Sequence, residues 1–138
     1  MLTLKSFCEK NGLDINTCFD MCVGDGGGIL PTRGGFTGYI VEITDTAIFC
    51  HNEKLGVTRK EIPFSDFSAA EFGIGSGNLW LQCVVDGKPF VFCTPRKNWK
   101  SQSAKLLIEK IEAFTGPIDM KEYKQFTGKF FLFWVLVK

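Results

Sequence analysis

The chain is poor in the groups that carry most chemistry. Its 138 residues include a single histidine, His51, its carboxylates are scattered, and no catalytic motif is present, which leaves a binding or structural role rather than a reaction. It also lacks a surplus of charge: sixteen Lys plus Arg stand against fifteen Asp plus Glu, a net +1. That balance is not the electrostatic footprint of a dedicated nucleic-acid binder, so no nucleic-acid partner is expected. Five prolines are too few for a low-complexity, disordered chain. Long apolar runs are missing as well, because the longest uncharged one, residues 130–137, has eight residues against the ~20 that a spanning helix requires.

What is present suffices for one domain with appendages: 15.4 kDa, 45% hydrophobic and 22% charged. Lys5, Glu9 and Lys10 leave the N-terminus without the apolar core of a secretory signal, so a cytoplasmic location is expected. Six cysteines are then read as reduced thiols rather than a disulfide framework. With Asp86-Gly87 as a two-residue turn, Cys83 lies opposite Phe90 and Cys93 opposite Trp80. The thiols of Cys83 and Cys93 then point to different faces and cannot bond to each other.

Residues 3–23 read as helical with one break. Ser6-Phe-Cys-Glu9 has capping-box spacing, Gly12 can stop a first helix, and Asp14 can cap a second carrying Ile15, Cys18, Phe19 and Cys22. Gly24-Asp-Gly-Gly-Gly28 is a joint. Beyond it the period becomes two, with strands expected at 39–44, 47–51, 57–64, 68–74, 79–85 and 88–94, the last two forming the clearest hairpin. After Pro95 the helical period returns, and Trp99, Ser103, Leu107, Ile111 and Phe114 line one side of a helix that Gly116-Pro117 ends.

Gly38-Tyr-Ile-Val-Glu-Ile-Thr-Asp-Thr-Ala-Ile-Phe49, then Glu61-Ile-Pro-Phe-Ser-Asp-Phe67 and the long helix, resemble the bacterial pleckstrin-homology-like (PH-like) domain family over residues 29–115. The resemblance implies an α+β fold: a bent antiparallel β-barrel of about seven strands, capped at one open end by the C-terminal amphipathic helix. The seventh strand would be residues 29–32. Three parts follow: an N-terminal helical arm and glycine joint (1–28), the PH-like barrel with its helix (29–116), and an extension carrying an apolar strand (117–138). Such folds serve as platforms for lipids, peptides and proteins, and fold alone does not assign an activity.

Individual residues offer little chemistry. Cys18 and Cys22 lie four apart with Cys8 nearby and His51 or a distant Cys as the fourth ligand, but a structural zinc site usually shows two close pairs, so buried apolar cysteines are the better reading and no metal or cofactor is expected. Cys50 and His51 are strand neighbours pointing to opposite faces, which excludes a nucleophile and base pair. The clusters Gly24–Gly28 and Gly73–Gly77 lack the G-x-x-x-x-G-K-[ST] pattern and read as linker and turn.

Surfaces say more. Residues 96–138 hold nine basic and four acidic residues, whereas residues 1–95 hold seven and eleven. Arg96, Lys97, Lys100, Lys105, Lys121, Lys124 and Lys129 are therefore candidates for an anionic partner, lipid included, next to the aromatic tail. In the hairpin, Leu81, Cys83, Val85, Phe90 and Phe92 share one face and Trp80, Val84, Val91 and Cys93 the other. Both are apolar, so the second must be covered by the arm, the tail or another subunit.

The resulting expectation is a non-enzymatic binding or scaffold module that self-associates through Trp80, Val84, Val91, Phe130, Phe131, Phe133 and Trp134, with a peripheral lipid-binding protein as the alternative. Because both alternating faces of 130–137 are apolar, that segment should pair with a sheet edge, in its own chain or across an oligomer interface. Limited proteolysis checks this: the paired tail should resist cleavage, and a tail that proteolysis removes from soluble, unaggregated protein would contradict it.

Overall fold

The computed structural model describes residues 3–25, 27–33, 36–75, 78–119 and 124–125. Its core is one bent sheet. The strands are β1 (Cys18–Asp25), β2 (Thr37–Ile43), β3 (Ala47–Asn52), β4 (Val57–Pro63), β5 (Phe67–Gly75), β6 (Asn78–Val85), β7 (Lys88–Thr94) and the two-residue β8 (Lys124–Gln125), in the order β4-β3-β2-β1-β7-β6-β5-β8. Every pairing is antiparallel except β5 with β8. Among the described residues β4 does not pair with β5, so the barrel is not fully closed. Helix α1 (Leu4–Asn11) precedes the sheet and α2 (Gln102–Thr115) follows its seven long strands. This is the α+β arrangement expected.

The six strands read from period two are present within a residue or two of the expected bounds, and the Asp86-Gly87 turn sets the register. Both residues have positive φ, 52° and 74°, the conformation of a type I′ hairpin turn. Cys93 consequently faces Trp80, and Cys83 faces Phe90. In α2, Ser101 caps the first turn through Ala104 N–H, and Ser103, Leu107 and Ile111 are buried. Phe114 shares their side of the helix but is 52% exposed in the last turn, where covering runs out.

The N-terminal region departs from expectation. Thr3, not Ser6, caps α1, its hydroxyl accepting the Ser6 N–H at 3.1 Å. The expected second helix is a short 3-10 turn, Ile15–Thr17, that leads into β1. Cys18 and Cys22 have helical spacing, but Phe19, Met21 and Val23 also alternate, and burying those three in the main core fits a strand. The sheet therefore begins at Cys18, and the helical arm shrinks to α1 and the 3-10 turn. Residues 29–32 are not a strand. The Asp25 carboxylate takes the N–H groups of Gly27 and Leu30, so that segment turns back on β1 with Leu30 in the core. Gly27 is required there, since a Cβ would lie 2.4 Å from the Cβ of Lys88.

β1 carries the bend. It pairs with β2 over Cys18–Val23 and with β7 over Cys22–Asp25, so only Cys22 and Val23 belong to both ladders. Trp99 fills the open end under α2. It is 1% exposed, packs its ring against Phe19 at 5.7 Å and Phe72 at 5.1 Å, and donates Nε1–H to the Leu79 carbonyl at 2.8 Å. Trp99→Ala should lower unfolding stability by about 3–5 kcal/mol, read as a shift of the urea midpoint; a loss under about 1 kcal/mol would show that the plug is not central.

Candidate functional site

The candidate site is the cationic segment between β7 and α2. Residues 87–108 contain no Asp or Glu. The 3-10 turn Arg96–Lys100 holds two side chains inward: Trp99 in the core, and Asn98, whose Nδ2 donates to Thr94 Oγ1 at 2.9 Å. With those two fixed, Arg96, Lys97 and Lys100 are left facing solvent, and Lys105 is exposed on the first turns of α2. Four of the expected anion-binding residues thus lie on one short stretch of backbone. Lys110, further along α2, is engaged with Asp45 at 3.3 Å. Lys124 sits in β8, its backbone beside Gly73, while Lys121 and Lys129 lie outside the described residues.

The expected apolar interface has a different fate. Trp80 and Val91 are 8% and 2% exposed and Val84 is half-buried. The Phe36 ring stands edge-on to Trp80 at 4.4 Å, and Trp80, Val91 and Cys93 form a small buried cluster with it. Trp80 and Val91 are therefore covered within one chain. Phe130, Phe131, Phe133 and Trp134 lie outside the described residues.

A second polar cluster, which sequence reasoning missed, lies on the outer face of β2, β3 and β4. Glu42 is 8% exposed, and its carboxylate receives the Arg59 guanidinium at 3.3 and 3.4 Å. Arg59 also lies over the Phe49 ring, 3.7 Å from its centroid. His51 donates Nδ1–H to the Thr58 carbonyl at 2.6 Å, at a register shift between β3 and β4, and its Nε2 lies 3.5 Å from Glu42. Phe7 of α1 meets the imidazole edge-on at 4.7 Å. Cys50 is buried on the other face, in the main core, so His51 serves α1 docking and not a cysteine. The signal available in the sequence was the alternation Glu42, Phe49, His51, but the bulge that aligns it with Arg59 has no sequence marker.

The three N-terminal cysteines do not gather. Cys8 and Cys18 pack together beneath α1, whereas Cys22 is exposed two strand positions beyond Asp20. Among the described residues no three His, Cys, Asp or Glu side chains converge as metal ligands. Of the second glycine cluster, Gly73 and Gly75 belong to β5, with Gly75 paired to Asn78 of β6. Among the described residues no helix is long and apolar enough to cross a membrane.

No family model matches the sequence, and no curated protein matches it. Among solved structures the chain is similar to the N-terminal PH domain of the human ARAP2 protein, with 18% identity, a TM-score of 0.47, and coverage of 71% of this chain and 82% of that one. The α+β class follows from the strand ladder and the helix described above.

Burial raises several acidic protons. The thiols of Cys18 and Cys50 and the Tyr39 hydroxyl are each pushed up to about 12, and Cys93 to about 11, chiefly by desolvation. In the unfolded chain the thiols ionise near their ordinary value of 9.0. The contribution of these thiols is therefore fully present below about pH 9 and lost as pH rises toward 11–12. The thermal midpoint should fall steadily between pH 8.5 and 10.5; a flat profile would contradict the burial of these thiols.

Proposed function

We propose that the chain is a non-enzymatic, PH-like binding module and that its partner is an anionic membrane surface. The observation that carries this reading is the exposed lysine set Lys97, Lys100 and Lys105, on a stretch of chain, 87–108, that contains no Asp or Glu and is displayed by the inward anchoring of Trp99. Lysines near an anionic leaflet contribute about 1 kcal/mol each. That is enough for reversible peripheral attachment and too little for permanent anchoring. The two exposed large apolar side chains among the described residues, Ile15 and Phe114, belong to the 3-10 turn and to α2, which pack together. They add apolar contact to the same helix.

A second reading is action by protein contact, self-association included. It is favoured by β4, an edge strand among the described residues, whose Thr58, Arg59, Lys60 and Glu61 are exposed in a row. It depends less on Trp80 and Val91, which are already covered.

Co-sedimentation with phosphatidylserine-containing vesicles separates the two. The protein should pellet at low salt, release as salt increases, and lose roughly 100-fold in affinity when Lys97, Lys100 and Lys105 are all replaced by Glu. Protein that stays in the supernatant at low salt while light scattering shows a concentration-dependent oligomer would replace the lipid reading with the protein one.

A further inference from the structure

Of the six cysteines, two occupy directly opposed positions on neighbouring strands: Cys22 of β1 and Cys93 of β7. In an antiparallel ladder such partners have Cα atoms about 4.5 or 5.5 Å apart, depending on the type of pair. Both distances fall within the 4.4–6.8 Å that a disulfide spans. Opposed residues also share a face of the sheet, so the two thiols leave the backbone on the same side.

The surroundings differ on the two sides. Across β2 the neighbour of Cys22 is Gly38, where an added Cβ would meet nothing within 4 Å. Cys22 is consequently exposed and open to a reagent. Across β6 the neighbour of Cys93 is Trp80, and Cys93 is 7% exposed. One thiol is reachable and the other is held behind it, which is the arrangement of an attacking and a resolving cysteine.

We propose that Cys22 and Cys93 form a redox-sensitive dithiol that a small disulfide oxidant converts to a disulfide stapling β1 to β7. The Cys22 thiolate attacks the oxidant R–S–S–R, giving a mixed disulfide and releasing one RS⁻. The Cys93 thiolate then attacks the Cys22 sulfur, forming the Cys22–Cys93 bond and releasing the second RS⁻. Two protein protons end on two RSH, and the two electrons lost by the cysteines reduce the oxidant. Partial desolvation by the surrounding sheet and the neighbouring Asp20 carboxylate hold the Cys22 thiol above its ordinary value, so the exchange is slow at neutral pH and faster in mild alkali. The staple sits at the corner where β1 passes from the β2 ladder to the β7 ladder, and thus ties the two halves of the sheet together.

The four other thiols are less suited. Cys8 and Cys18 touch, but both are buried under α1. Cys50 and Cys83 stand in the main core, and Cys83 faces Phe90.

The test treats the full chain with oxidised glutathione at pH 8.5, then unfolds it, counts thiols and maps the linked peptides. Four thiols should remain of the six, with the linkage at Cys22–Cys93 and a thermal midpoint higher than that of the reduced chain by on the order of 10 °C. Cys93→Ser should stop at a glutathione adduct on Cys22, and Cys22→Ser should not form a disulfide at Cys93. Six surviving thiols, a stable glutathione adduct on Cys22 of the unmutated chain, a link between Cys8 and Cys18, or an unchanged midpoint would each overturn the proposal.

Discussion

The burial of Trp99 is the contact on which most of the structure depends. Its ring joins Phe19 of β1 to Phe72 of β5, and its N–H satisfies a carbonyl of β6. One side chain from a short turn thus ties together strands from both halves of the sheet at the end that α2 covers. A buried indole needs a partner for its N–H, and the Leu79 carbonyl can serve only if the β6–β7 hairpin has delivered Trp99 to that end. The same inward anchoring leaves Lys97 and Lys100 facing water, so the core contact and the candidate binding surface share a cause.

β1 is the second constraint. A sheet that bends must let one strand serve two ladders, and here Cys22 and Val23 are the residues held in common. Glycine helps on the C-terminal side: Gly24 continues the strand beyond them, and Gly27 lets the following turn pass against Lys88. The cost of the corner is a pair of facing thiols in place of larger apolar side chains. On the outer face of the same strand, α1 is held by apolar packing around Cys8 and Cys18 and by the Phe7 contact with His51. The helix therefore covers β1 and β2 where an antiparallel sheet would otherwise present Ile40 to solvent.

Much of the fold was legible because strands β2 to β7 are short runs rich in apolar, β-branched and aromatic residues, separated by turn residues with a physical reason to turn. β1 was not. Ile15, Cys18, Phe19 and Cys22 fit a helical stripe as well as Phe19, Met21 and Val23 fit a strand, and eight residues are too few for periodicity to decide. The choice was made by β2 and β7, which offer unpaired backbone on both sides of a gap only a strand can fill. Leu30 shows the converse: its segment has apolar content, yet Asp25 consumes the N–H groups that a ladder would need. The cationic ridge was legible as charge, but not as a fixed display.

The sequence by itself determined the α+β class, the register of the Asp86-Gly87 hairpin and the basic character of the segment that follows it. These depend on local spacing, on a turn that admits only residues tolerant of positive φ, and on composition. Only the tertiary structure decided that Trp80 and Val91 are covered, that Glu42, His51 and Arg59 meet, and that Cys22 faces Cys93. Each of those requires residues distant in the chain to share one strand register, and register across non-consecutive strands is set by the closing of the whole sheet rather than by any segment of it.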